Sequence, residues 1–90
     1  MSTKIVDHIS PAQCRSARAL LDMTQTQLAT AASLGLSTVV DFERGRRQVS
    51  SEAIVAMRKA LQNAGIEFIE ANGGGPGVRL RRLQQAVKRR

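Results

Sequence analysis

The chain has no tryptophan and no tyrosine, and Phe42 and Phe68 are its two aromatic side chains. Two rings give little bulk for a core. They also give little surface on which the bases of a single strand could stack. Cysteine and histidine occur once each, as Cys14 and His8. A lone cysteine closes no internal disulfide, and no Cys/His cluster offers a metal site. Cys14 falls on an apolar helical stripe and is expected to be a small buried thiol. His8 sits in a polar lead-in and is expected in solvent. No apolar run reaches the roughly 18 residues of a membrane span, and no signal-peptide pattern is present, so a cytoplasmic chain without membrane contact is expected. Paired carboxylates and nucleophile–base sets are also missing, which points away from catalysis and calls for no cofactor. Acids are scarce: seven against fourteen Lys and Arg, for a net charge of +7. That balance favours a polyanion as partner, whether DNA, RNA or an acidic membrane surface.

What is present centres on Leu28 to Gly45. Thr24 is a candidate N-cap, and Gln27 three residues on can return the bond to the Thr24 amide. Leu28, Ala29 and Ala32 share a helical face, and the small Ala29 admits a close neighbour. Ser33, Leu34 and Gly35 form a turn, with Leu34 as its buried plug and Gly35 free to take an unusual φ. Leu36 to Arg44 resumes a helix with Val39 and Phe42 inward. Leu36, Ser37, Val40 and Asp41 then lie outward, and Gly45 is a natural stop. Two helices joined by a short turn suit insertion of the second into a major groove.

Around this centre, Ser10-Pro11 opens a first helix to about Leu21, with Gln13 completing a capping box. Ser50 or Ser51 caps a fourth helix, whose stripe of Ile54, Met57 and Leu61 faces a core. Ile66 to Glu70 and Val78 to Arg81 read as two strands joined by ANGGGPG. That glycine run joins two strand-like segments and opens no helix, so it is a connector and no phosphate cradle. The pair is marginal alone, and either packs on its own helices or pairs with a second copy. The last 25 residues carry six bases against two acids.

With Arg18, Gln25, Leu28, Ala29, Ala32, Ser37, Thr38, Val39, Phe42, Glu43, Arg44 and Gly45 at these spacings, the chain resembles the lambda-repressor-like, Cro-type (xenobiotic-response-element) helix-turn-helix regulators over about Pro11 to Leu61. The later GIEFI and NGGGPGVRLR look like the tail of a bacterial subgroup. The resemblance implies a mainly α fold, in which a four-helix DNA-binding domain is followed by a pair of short strands. It implies a partly buried ion pair between Arg18 and Glu43 that fixes the recognition helix. It also implies phosphate contacts from Gln25 and Thr38, and base contacts from Leu36, Ser37, Val40 and Asp41. Ser37 can donate or accept, Asp41 can accept from cytosine N4, and Leu36 and Val40 can pack on thymine methyls. This is a poor hydrogen-bonding set, so DNA shape and water bridges are expected to add to the readout. Arg44, Arg46 and Arg47 flank Gly45 and are expected on phosphates.

The expected organisation is an arm over 1–9, a helix-turn-helix domain over 10–65, a β-strand dimerisation extension over 66–82 and a basic tail over 83–90. Ile66, Phe68, Ile69, Val78 and Leu80 are the expected dimerisation residues, and a chain cut after Gly65 is expected to keep its helices. The leading expectation is a bacterial or phage-type transcriptional regulator, a repressor or activator by position. It would bind double-stranded DNA at an inverted repeat as a homodimer, without an effector domain. Alternatives are the DNA-binding antitoxin of a toxin–antitoxin pair, another protein-partnered form such as an antiactivator's target, an RNA-binding regulator and a protein-interaction module.

Overall fold

The computed structural model describes residues 8–46, 48–71 and 73–81. The first seven residues of the expected arm, Arg47, and the expected tail over 83–90 lie outside them. Four helices, α1 (Pro11–Leu21), α2 (Gln25–Ala32), α3 (Leu36–Arg44) and α4 (Ser51–Asn63), precede two strands, β1 (Ile66–Ile69) and β2 (Gly77–Leu80). The fold is therefore mainly α with a short antiparallel pair at its end.

Three of the four helices start where a small polar side chain can take their free amides. Ser10 Oγ accepts from the Gln13 amide at 3.0 Å, and Gln13 Oε1 accepts from the Ser10 amide at 2.9 Å. Thr24 and Gln27 repeat this reciprocal box at 3.0 and 2.9 Å. Ser50 accepts from the Ala53 amide at 3.1 Å and is thus the cap of α4. α3 alone begins without a side-chain cap, at Gly35. α1, α2 and α3 end on left-handed residues at Asp22 (φ 57°), Ser33 (φ 59°) and Gly45 (φ 65°), whereas α4 ends at Ala64 in the right-handed region. The turn between α2 and α3 thus differs from expectation. Its left-handed residue is Ser33, while Gly35 holds an ordinary extended conformation at φ −73°, ψ 152°. The Leu34 amide bonds back to the Ala29 carbonyl at 2.8 Å, which closes α2 one residue before the glycine is reached.

The core gathers Cys14 and Ala17 of α1, Leu28 and Ala29 of α2, Val39 and Phe42 of α3, and Met57 and Leu61 of α4. Ile9 also belongs to it at 6% exposure, so the last part of the expected arm is packed. His8 beside it is half-buried. Leu34, the expected plug, is half-buried against this core.

The strands pair antiparallel, with Ile66 opposite Leu80 and Phe68 opposite Val78. Directly opposed residues share a face. Ile66, Phe68, Val78 and Leu80 therefore form one side, and Glu67, Ile69 and Arg79 the other. Ile66 is 1% exposed, and Phe68 and Val78 pack against the core. The Arg58 guanidinium lies 5.0 Å from the Phe68 ring centre. Of the two arrangements open to the strands, packing on their own chain is the one seen. β2 lies on α1 and β1 on α4.

Gln13 ties this hairpin down. The amide that closes the α1 box also donates to the carbonyls of Gly77 at 3.0 Å and Ile69 at 3.3 Å. Gln13 lies roughly 120° around the helix from the midpoint of Cys14 and Arg18, at about 100° per residue. α1 therefore meets β2 on one side and α3 on another.

Candidate nucleic-acid interface

α3 is amphipathic over nine residues, and its two sides set its role. Val39 and Phe42 are buried, and Glu43 is buried with them at 2% exposure. A carboxylate so placed must be paired, because burying an isolated charge is costly. Glu43 is met from three directions. Arg18 of α1 donates through Nε to Oε2 and through Nη2 to Oε1, each at 2.7 Å. Cys14 Sγ donates to Oε2 at 3.1 Å, and Gln25 Nε2 of α2 donates to Oε1 at 3.0 Å. Arg15 Nη1 also donates to the Glu43 main-chain carbonyl. Arg18 spends its remaining Nη1 on the Met23 carbonyl at 3.0 Å. One side chain of α3 is thus fastened to both α1 and α2.

The electrostatics follow from this geometry. Burial works to raise the Glu43 carboxyl, but hydrogen bonds from Arg18, Cys14 and Gln25 outweigh it and hold the group below the usual carboxylate range. The hydrogen bond to Glu43 raises Arg18 against the opposing effect of burial. Burial, helped by its bond to Glu43, pushes the Cys14 thiol well up. Cys14 is therefore a neutral donor and no nucleophile at neutral pH.

The family resemblance implied the pair of Arg18 and Glu43, which the structure shows, but gave no sign of Cys14 as a partner. The signal was available: Cys14 and Arg18 stand four residues apart and so share a helix face. Gln25 was linked to phosphate by resemblance, and here its amide nitrogen is engaged by Glu43. Nε2 carries a second N–H beyond the one given to Glu43, so a phosphate at that place could be met by that donor and by the main-chain amides that open α2.

The other side of α3 faces outward. Leu36 is 46% exposed, Ser37 is exposed, and Thr38, Val40 and Asp41 are half-buried. Asp41 is engaged within the chain. Arg44 and Arg46 are exposed just beyond, on either side of Gly45. The arrangement is a short helix with a mixed outer face, a cationic margin and a rigid mount.

The expected dimerisation residues do not stay together. Ile66 is a core residue of its own chain, and Phe68 and Val78 are half-buried beneath the hairpin. Only Ile69, at 37%, and Leu80, at 50%, are exposed. Ile66, Phe68 and Val78 lie on the face laid over α1 and α4, Ile69 falls on the opposite face, and Leu80 shares the inner face but stands at the end of β2. A chain cut after Gly65 would lose one core side chain, that of Ile66.

Among the described residues no group of His, Cys, Asp and Glu is placed to hold a metal ion. Among them, too, no helix is long and apolar enough to cross a membrane. A family model described as helix-turn-helix matches residues 15–68, more than half of the chain. No curated protein matches the sequence.

Proposed function

Because the chain belongs to the Cro/C1-type helix-turn-helix family of DNA-binding regulators, we propose that it is a sequence-specific transcriptional regulator acting as a homodimer on an inverted-repeat operator. α3 enters the major groove, with Leu36, Ser37, Val40 and Asp41 toward base edges. Arg44 and Arg46, with Thr38 and Gln25, lie toward the phosphates. The observation that carries this reading is the mounting of α3: its outer face is open, while its inner face is fastened through Glu43 to two other helices. A reading head needs that rigidity, because groove contacts lose their value when the helix angle wanders.

The homodimer rests on a narrower support. The hairpin exposes Leu80 at 50%, and because α1 meets β2 on one side and α3 on another, a twofold contact at Leu80 would leave both α3 helices clear of the interface. Two reading heads about 34 Å apart then match successive major grooves on one side of a duplex. Regulation would come from where the dimer sits, in the cytoplasm of a bacterial cell.

Selection from random duplex DNA at near-physiological salt tests this, together with the stoichiometry of the selected complex. The expected result is an enriched inverted repeat bound by two chains. Binding without sequence enrichment, fading as salt rises, would overturn the specific reading. An enriched single half-site bound by one chain would overturn the dimer alone.

A further inference from the structure

The outer stripe of α3 has an unusual chemistry for a helix read as entering the major groove. Its exposed large apolar side chain is Leu36, at 46%, and the half-buried Val40 stands one turn further along the same stripe. Among the described residues nothing covers Leu36 further, and Gly35 before it presents no side chain. A Cβ at Gly35 would meet nothing within 4 Å, so the approach to Leu36 is uncrowded from that side. Ser37 supplies one hydroxyl. Asp41 is engaged within the chain. None of Leu36, Ser37 and Val40 can make the bidentate bonds by which Arg, Asn or Gln distinguishes a purine.

The major groove offers one apolar feature, the methyl group on C5 of a pyrimidine. Thymine carries it and cytosine does not. The surrounding charge suits this occupant, since exposed Arg44 and Arg46 border the stripe and the chain carries a net +7. We propose that Leu36 and Val40 form a C5-methyl reader, so that the protein selects half-sites by where pyrimidine methyl groups stand. On the same chemistry it accepts 5-methylcytosine in place of thymine at those positions. The inference rests on α3 entering the major groove, and it narrows that reading from base contact to methyl contact.

Burying one methyl group is worth about a fourfold change in affinity. The test takes the selected duplex and replaces thymidine by deoxyuridine, which removes the methyl and leaves the pairing edge intact. Positions are changed one at a time, and affinity is read by fluorescence anisotropy with the full chain. One or two positions per half-site are expected to weaken binding about fourfold each. At those positions cytosine should bind weakly and 5-methylcytosine should recover most of the loss. Leu36→Ala or Val40→Ala should abolish the deoxyuridine effect at its own position. Both variants change exposed or half-exposed side chains, and unchanged thermal melting confirms that they fold.

Specific binding that ignores deoxyuridine at every thymine would overturn the methyl reader and leave the regulator reading intact. A deoxyuridine effect that persists undiminished in both variants would also overturn it, since the methyls would then act through the stiffness of the duplex. Failure to bind any duplex specifically would remove the regulator reading itself, and the methyl reader with it.

Discussion

Replacing Glu43 by Gln changes one oxygen to an NH2 group and removes one charge. Oε2 accepts from Arg18 Nε and Cys14 Sγ, and Oε1 accepts from Arg18 Nη2 and Gln25 Nε2. Whichever way the new amide turns, its NH2 faces two donors. Arg18 is also left without its counter-charge. Breaking a buried pair from one side costs about 3–5 kcal/mol. Arg18 keeps 19% of its exposure, which places the expected loss near the low end, about 3 kcal/mol. A domain of this size is stable by about 5–15 kcal/mol, so the loss is a large share of the whole. It corresponds to a fall in Tm of roughly 12–24 °C. Urea and thermal unfolding followed by far-UV circular dichroism measure it directly.

A pH series makes the test sharper. The folded Glu43 carboxyl is held below its usual range, so its contribution is complete above the unfolded pKa of about 4.3. It is lost only as pH falls through the folded value. The gap between wild type and Glu43→Gln should stay constant from neutral to mildly acidic pH and close in stronger acid. A gap below about 1 kcal/mol at neutral pH would mean that the pair behaves like an exposed one, and the reasoning would be refuted. A gap that did not narrow in acid would refute it equally.

Gln13→Ala should lower stability by about 1–2 kcal/mol, because it removes half of a capping box and two bonds to the strands. Hydrogen exchange should quicken in β2 while α4 keeps its protection, and uniform quickening would contradict the local role. Ile66→Ala should cost about 2–5 kcal/mol in urea unfolding, and an unchanged midpoint would contradict its place in the core. Arg46→Ala should weaken specific and random duplexes alike and reduce the salt slope by about 0.9. A change in sequence preference with the slope intact would move Arg46 from phosphate to base. Leu80→Ser should shift sedimentation from dimer toward monomer at fixed concentration, and an undiminished dimer would remove the hairpin as the twofold contact.

The helices were legible because their signals are local. Ser10, Thr24 and Ser50 sit within three residues of the amides they cap, and apolar spacing marks the faces that meet. The hairpin was legible as two strands, but its burial was not. Whether Ile66 faces the core or a second chain depends on how the strand pair is laid over α1 and α4, and no short window of sequence carries that. The Gln13 contacts to Ile69 and Gly77 span more than fifty residues and were invisible for the same reason. The turn shows a different failure. Gly35 was credited with the unusual backbone angle because glycine is permissive, yet Ser33 adopts it, since the Leu34 amide must reach back to Ala29 to close α2. The outer face of α3 was legible residue by residue. Its chemistry depends on degrees of exposure, and these need the packed fold.

α1 stands between the hairpin and α3, meeting each on a different side. Ligands of the two surfaces therefore need not exclude one another. If α3 reads DNA as proposed, a protein held on the hairpin would ride with the bound domain without evicting α3 from the groove. Within one chain the hairpin and α3 are coupled only as far as α1 shifts under load; between chains they are coupled strongly, because a partner that displaced the second copy from the hairpin would take one of the two α3 helices away from the repeat.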